Sequence, residues 1–240
     1  MNYQNFKIII KTKKAPIVNN PILFYVEDKN RKTSNLYCEI YYNNTLISQG
    51  IILDFYKEFE NMVGFFGNIS THILTFEWQD KLYTKNTYFG QKIFEIKNFT
   101  KPPLELKKRQ NYLNEITNIF DFYVKNLIQN SITPIVSYIP SSLKIPDEIA
   151  HQLANINNLQ IAHIIKKKNT NAQSKVLTTV NSQNFNKYIV NLNNSYKEKT
   201  FLIIDDVVGT GATFCEVMYK LYNFNQKINY FLAVVKDVKR

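Results

Sequence analysis

The sequence predicts an α/β fold in which a parallel sheet flanked by helices is preceded by a small, mainly antiparallel β domain. The first hundred residues contain short runs rich in Ile, Tyr, Phe and Thr, broken by Asn, Asp and Gly, which is typical of strands joined by turns. Lys101-Pro102-Pro103 interrupts this pattern. Beyond it, strand-like and helix-like stretches alternate, as in parallel sheets. We therefore predict two domains, residues 1–100 and 101–240.

The N-terminal region is expected to contain mainly strands, because its apolar runs are rich in β-branched and aromatic residues. The predicted strands are Lys7–Lys11, Ile22–Val26, Leu36–Tyr42, Thr45–Phe55, His72–Trp78 and Lys92–Ile96. Between two of them, Asn43-Asn44 predicts a hairpin turn, since asparagine tolerates positive φ.

The C-terminal region is expected to begin with a long helix over 104–130, where apolar residues return at three- and four-residue spacing. The core that follows, over 132–235, alternates between strands and helices. The predicted strands are Ile135–Ile139, Leu159–Ile165, Tyr188–Leu192, Thr200–Ile204 and Ile228–Val235, and the predicted helices are Asp147–Asn157 and Ala212–Asn223.

Composition limits the classes of function. Hydrophobic content of 45% and charged content of 20% are ordinary for a folded soluble protein. The formal net charge of +11 favours a polyanionic partner, although a solvated lysine-rich surface explains it equally well. Cys38 and Cys215 are far apart, and no CxxC pair supports a zinc site. No signal peptide or membrane-spanning run is evident, so a cytoplasmic location is expected.

One segment carries the clearest chemistry. Phe201–Ile204 is an apolar run typical of a buried parallel strand. Asp205 and Asp206 follow, at the end of the strand where open α/β sheets bind ligands. Gly209–Thr213 then leads into a helix, and its backbone N–H groups, hydroxyls and helix N-terminus favour a phosphate. Carboxylates suit sugar hydroxyls or a metal instead. The residues alone thus indicate a sugar phosphate.

Two common nucleotide-binding motifs do not fit this segment. Walker A requires a lysine that Gly209–Thr213 lacks. The Rossmann motif requires a third glycine where Phe214 stands, and its acid follows the loop rather than preceding it. A tight strand-to-helix turn without a ligand is the remaining alternative. Paired acids and a Gly/Thr loop after one apolar strand favour the ligand site over that turn.

Phe201–Thr213 resembles the motif with which type I phosphoribosyltransferases bind PRPP, 5-phosphoribosyl 1-diphosphate. Both have an apolar strand, two acids, two apolar residues and a Thr-Gly loop, although Gly209 stands where Thr or Ser is more usual. The resemblance implies a type I phosphoribosyltransferase-like sheet. It also implies that Asp205 and Asp206 are catalytic, contact the ribose hydroxyls and bind Mg²⁺ directly or through water. The implied 5′-phosphate site is Val208, Gly209, Thr210, Gly211, Ala212 and Thr213.

Two upstream segments resemble the ComF-like branch of this family. The segment after the first α/β strand is similar to a pyrophosphate loop, which implies that role for Tyr138, Ile139, Pro140 and Ser141. Tyr138 stands where the ComF-like pattern has a proline. The polar stretch over 166–186 is similar to the flexible loop of that branch, without its usual arginine. The implied flexible-loop residues are Lys168, Gln173 and Lys175.

The resemblance implies an enzyme that binds PRPP with Mg²⁺ and transfers or hydrolyses the phosphoribosyl group at the anomeric carbon, with release of pyrophosphate. A non-catalytic or regulatory nucleotide-binding module in a nucleic-acid-processing or defence complex is the alternative. A third is that the N-terminal β region is the functional half and binds a protein. The expected partners are PRPP or a nucleotide, a nucleic acid or protein on the basic surface, and further copies of the chain, but no membrane.

Overall fold

The computed structural model of the chain describes residues 5–11, 36–59, 65–68, 82–98, 104–168 and 187–237. Two predicted strands, Ile22–Val26 and His72–Trp78, lie outside these residues, as do Gln173 and Lys175 of the predicted flexible loop. No helix within the described ranges is long and apolar enough to cross a membrane.

The described elements follow the predicted order closely. The strands are β1 (Phe6–Lys11), β2 (Leu36–Tyr42), β3 (Thr45–Phe55), β4 (Lys57–Phe59), β5 (Phe65–Asn68), β6 (Leu82–Asn86), β7 (Ile135–Tyr138), β8 (Ile165–Lys167), β9 (Tyr188–Val190), β10 (Phe201–Val208) and β11 (Asn229–Lys236). The helices are α1 (Tyr88–Asn98), α2 (Leu106–Gln129), α3 (Ile145–Asn157) and α4 (Ala212–Asn225). The predicted Asn43-Asn44 hairpin turn is confirmed, because both residues adopt positive φ.

One mixed sheet organises the fold, with seven strands in the order β5-β1-β2-β3-β11-β10-β7. The N-terminal strands β5, β1, β2 and β3 pair antiparallel. The strands β3, β11, β10 and β7 pair parallel, with Ile52 of β3 beside Ala233 of β11. The predicted fold class is therefore confirmed. The domain boundary near residue 100 stays a prediction, and strands from both sides of it form this one sheet.

Helices cover both faces of the sheet. Successive side chains of β10 pack on opposite faces of the sheet. Ile203 packs with Phe214 of α4 on one face. Leu202 and Ile204 pack on the other face with α1, α2 and α3. All of these side chains are fully or almost fully buried. This three-layer arrangement fixes the position of β10 and leaves ligand binding to its carboxyl end.

The predicted strand Lys92–Ile96 is wrong, because this segment belongs to the helix α1. Phe89, Ile93 and Ile96 are its buried apolar residues, and their spacing of four and three is helical rather than alternating. The Thr87 hydroxyl caps the helix by accepting a hydrogen bond of 3.0 Å from the Gly90 N–H. A five-residue window was too short to separate the two periodicities.

The predicted strand Leu159–Ile165 is also largely wrong. Only Ile161 forms a bridge, to Val136 of β7. Backbone hydrogen bonds from Val136 N–H to Gln160 O and from Ala162 N–H to Val136 O flank that bridge. The chain then leaves the edge of the main sheet, and Ile165 begins β8, which pairs antiparallel with β9 instead.

Candidate functional site

The paired acids lie within the last part of β10 rather than after it. β10 extends through Val208, beyond the predicted end at Ile204. Asp205 is aligned with Ala233 of β11, and Ile204 is aligned with Tyr138 at the end of β7. Because these strands are parallel, their carboxyl ends meet at one edge of the sheet. The structure therefore brings the acids beside the predicted pyrophosphate loop.

Asp205 is a buried carboxylate, and hydrogen bonds within the protein replace little of the solvation that it loses on burial. Its side chain is 7% exposed, and Oδ1 accepts a hydrogen bond of 2.8 Å from the backbone N–H of Asp206. Burial raises the pKa of Asp205 well above its usual value, and the neighbouring charge of Asp206 raises it further. The folded chain thus places two carboxylates side by side, where an added cation would be favourable.

Asp206 faces the helical layer that contains α1. Its Oδ2 atom lies 2.9 Å from Nζ of Lys97, the last basic residue of α1. The Lys97 side chain is 30% exposed and that of Asp206 only 7%. The lysine is thus positioned to neutralise one of the two carboxylates. No local sequence pattern predicts this role for Lys97, because α1 reaches the site only through tertiary packing.

The loop after β10 has the geometry of a strand-to-helix phosphate site. Gly211 adopts φ of +83° and immediately precedes α4, a conformation that favours glycine. A Cβ atom at Gly211 would overlap Cδ1 of Ile8 on β1, whereas one at Gly209 would meet no atom within 4 Å. Thr210 Oγ1 accepts a hydrogen bond of 3.4 Å from Ala212 N–H. The backbone of the loop therefore approaches the N-terminal strands closely at Gly211 and is open at Gly209.

A buried lysine donates hydrogen bonds to the backbone of this loop and of the residue after β11. Nζ of Lys236, at the end of β11, donates hydrogen bonds of 2.6 Å to the carbonyl oxygens of Gly209 and Asp237. Lys236 is only 1% exposed, so these carbonyls supply part of the solvation that its ammonium group loses on burial. Lys236 was not predicted, since a lone lysine at a strand end has no local signature.

Tyr188 on β9 extends the site on the α4 side. Burial raises the pKa of Tyr188, against a hydrogen bond with Thr213 that lowers it. The backbone N–H groups of Lys187 and Tyr188 donate to the carboxylate of Glu216 on α4, at 3.2 and 3.0 Å. Glu216 is almost fully buried and pairs with Lys220 at 2.6 Å. These contacts fix β9 against the helix that follows the predicted phosphate loop.

The predicted pyrophosphate loop follows directly from β7. Ile139 N–H donates to Ile204 O at 2.9 Å, which holds the start of the loop next to the acids. Pro140 and Ser141 are half-buried, and Ser141 O accepts from Lys144 N–H at 3.2 Å. Lys168, from the predicted flexible loop, lies at the end of the β8–β9 pair, where its N–H donates to Lys187 O at 2.7 Å.

The two acids are suitable ligands for Mg²⁺. Carboxylate oxygens are the donors this ion prefers, and the mutual repulsion of Asp205 and Asp206 would be relieved by a divalent cation. Among the described residues, no group of three or more His, Cys, Asp or Glu side chains could hold a metal. A magnesium ion here would therefore share its coordination with ligand oxygens and water, as Mg²⁺ commonly does.

Sequence comparison identifies the family. The model for the phosphoribosyl transferase domain matches residues 104–236, which is more than half of the chain. The chain belongs to this family, and the predicted type I phosphoribosyltransferase relationship is confirmed. No curated protein sequence matches the chain. A solved structure with similarity is adenine phosphoribosyl transferase from Trypanosoma brucei in complex with AMP, pyrophosphate and ribose-5-phosphate; it shares 16% identity over 66% of this chain and 82% of its own, with a TM-score of 0.32.

Proposed function

We propose that this protein binds PRPP together with Mg²⁺ and transfers, or hydrolyses, the phosphoribosyl group with release of pyrophosphate. The observation that carries the proposal is the buried pair Asp205 and Asp206, which stands at the carboxyl end of β10 immediately before a Gly/Thr loop and the N-terminus of α4. This combination suits a ligand with both sugar hydroxyls and a phosphate. Family membership supports phosphoribosyl transfer as its general class of reaction.

The loop would bind the 5′-phosphate. Its backbone N–H groups and the positive end of the α4 dipole favour a dianion. The hydroxyls of Thr210 and Thr213 add two hydrogen-bond donors, and both residues are half-buried. Lys236 stabilises this arrangement by donating a hydrogen bond to the Gly209 carbonyl oxygen. In this assignment Val208 and Ala212 contribute backbone rather than side-chain contacts.

The two acids would bind the ribose. Their carboxylate oxygens accept hydrogen bonds from the 2′- and 3′-hydroxyls, which places the sugar over the end of β10. Mg²⁺, held by the same carboxylates directly or through water, would neutralise charge on the diphosphate when bound. Lys97 positions Asp206 through their 2.9 Å ion pair.

The reaction would be a displacement at the anomeric carbon. A nucleophile forms a bond to that carbon while its bond to the diphosphate oxygen breaks, and pyrophosphate leaves with the bonding electron pair. Positive charge develops on the sugar ring, and the buried carboxylates of Asp205 and Asp206 stabilise it electrostatically. Tyr138–Ser141 would contact the diphosphate, and Lys168, Gln173 and Lys175 would complete the site by excluding water.

A second candidate function is non-catalytic nucleotide binding within a nucleic-acid-processing or defence complex. The substitution of Tyr138 for a proline of the ComF-like pattern favours it, as does the net charge of +11. Membership of the ComF-like branch is a further part of the proposal, and the resemblance of the segments around Tyr138 and Gln173 supports it.

Calorimetric titration with PRPP and Mg²⁺, followed by an assay of pyrophosphate release with a panel of bases, separates these functions. We expect the wild type to bind PRPP, and the Asp205→Asn/Asp206→Asn variant to lose that binding. Glu198→Gln is a matched control, since that side chain is 77% exposed. Failure of the wild type to bind PRPP would refute the proposal. Binding without turnover on any base or water would favour the regulatory function.

A further inference from the structure

A cluster of titratable side chains lies next to the acids, and of its members only Tyr138 has a role in the function proposed so far. Tyr138, Asp147, His151 and His163 form this histidine cluster. The Tyr138 hydroxyl and Nδ1 of His163 are 2.9 Å apart. Nδ1 of His151 lies 2.9 Å from Oδ1 of Asp147. The two imidazole rings are 5.5 Å apart between centroids. The cluster therefore joins the end of β7, helix α3 and the segment beyond the sheet edge.

The cluster is adjacent to the proposed ribose site. Tyr138 is paired in register with Ile204, one residue before Asp205, and neighbouring strands are separated by about 4.8 Å. His163 lies beyond β7, after the bridge between Ile161 and Val136. The order across this edge of the sheet is therefore acids, Tyr138 and then His163. A ligand whose ribose contacts Asp205 and Asp206 therefore has the histidine cluster as its neighbour on the β7 side.

The hydrogen bonds of the cluster orient both rings. At His163, Nδ1 is engaged by Tyr138, so Nε2 is the atom that faces away from the tyrosine. If the Tyr138 hydroxyl donates to Nδ1, the neutral His163 ring has its proton on Nε2; if it accepts, Nε2 of the neutral ring is a hydrogen-bond acceptor. Burial raises the pKa of Tyr138 to about 12, so its hydroxyl stays protonated and able to take either part. The arrangement in which Tyr138 donates makes Nε2 of His163 an N–H donor for a ligand.

His151 is prepared differently. Its Nδ1 lies 2.9 Å from Oδ1 and 2.9 Å from the backbone oxygen of Asp147, so Nε2 is the ring nitrogen left for a ligand. The His151 side chain is 46% exposed, and His163 is exposed as well. Lys166 and Lys167, which follow His163 in β8, are exposed cations that add positive potential near this edge. Asp147 is the carboxylate on α3 that faces this cluster, and its pairing with His151 offsets its repulsion of an anion.

We propose that His163 and His151 bind the diphosphate group of PRPP, and so extend the predicted pyrophosphate loop by two donors. The inference rests on the proposed function. Two imidazole rings whose centroids are 5.5 Å apart are spaced so that each can contact an oxygen on a different phosphorus atom of one diphosphate. The same contacts would hold pyrophosphate as it leaves the anomeric carbon. Tyr138 orients the His163 ring, and Asp147 orients the His151 ring.

The test compares two ligands that differ by the diphosphate. PRPP and ribose 5-phosphate are titrated calorimetrically, with Mg²⁺, into wild type, His163→Ala, His151→Ala and the control Asn155→Ala, which alters an exposed residue one turn further along α3. We expect each histidine variant to weaken PRPP binding about tenfold, the effect of losing one hydrogen bond to a charged group. The affinity for ribose 5-phosphate and the unfolding midpoint should stay unchanged, as should every property of the control.

The outcomes separate this inference from the proposed function. If the wild type binds PRPP and both histidine variants bind it equally well, the diphosphate site is elsewhere and the inference is wrong. Equal weakening of both ligands would also overturn it, because the histidines would then be structural. If the wild type binds neither ligand, the proposed function itself fails. Selective weakening of PRPP by the histidine variants alone supports the inference.

Discussion

Replacing Gly211 by alanine should damage the loop before α4, whereas the same change at Gly209 should not. Gly211 adopts φ of +83°, which costs a residue with a Cβ atom about 1–2 kcal/mol. The added methyl group would also overlap Cδ1 of Ile8, and crowding of this kind costs about 1–3 kcal/mol. We therefore expect Gly211→Ala to lower the free energy of unfolding by about 2–5 kcal/mol. At Gly209 the methyl group meets no atom within 4 Å, and the change should stay within about 0.5 kcal/mol.

Urea denaturation of the two variants tests this reasoning. A third background separates its two causes: Ile8→Val removes the Cδ1 atom, so the cost of Gly211→Ala measured in that background should fall to the part that comes from φ. PRPP binding should weaken in Gly211→Ala and persist in Gly209→Ala. Equal unfolding free energies for the two alanine variants would refute the assignment of strain to Gly211.

Three further perturbations test the electrostatics and burial of the site. Lys97→Met leaves the Asp206 carboxylate buried without its partner. The change should lower the unfolding free energy by about 1–2 kcal/mol, which is less than for a fully buried pair because Lys97 is partly exposed. An unchanged urea midpoint would contradict this. Because the folded-state pKa of Asp205 is raised, the stability linked to that carboxyl is present at acid pH and lost as pH rises through the folded pKa. Asp205→Asn should therefore have little effect on thermal stability at acid pH and increase it relative to wild type at neutral pH, and a destabilised variant at neutral pH would oppose the argument. Burial raises the pKa values of the Cys38 and Cys215 thiols, so a thiol reagent should label them slowly in the native protein and fully in urea; rapid labelling of the native protein would show that they are accessible.

The site was predictable where its residues are contiguous in sequence. Phe201–Thr213 contains the strand, the acids and the loop in one segment, and each part follows a local rule of composition. Lys97, Lys236 and Ile8 could not be found in this way. They reach the site from α1, β11 and β1, so their role depends on which elements pack together, and no local pattern records that.

The arrangement of the sheet shows the same limit. The strands β3 and β11 were each predicted from their apolar residues, but their parallel pairing joins chain regions far apart in sequence. An apolar run indicates that a strand is buried, but it does not indicate which strand lies beside it. The predicted strand Lys92–Ile96 is wrong for a different reason. Phe89, which completes the helical pattern of Ile93 and Ile96, lies just outside it.

The most direct test of the account is the binding of PRPP in the presence of Mg²⁺, measured by isothermal titration calorimetry for wild type and for Asp205→Asn/Asp206→Asn. We predict saturable one-to-one binding by the wild type that requires Mg²⁺ for full affinity, and its loss in the double variant, with both proteins folded by circular dichroism. Absence of PRPP binding by the folded wild type, or equal binding by the variant, would contradict the claim that these two acids form the ribose site.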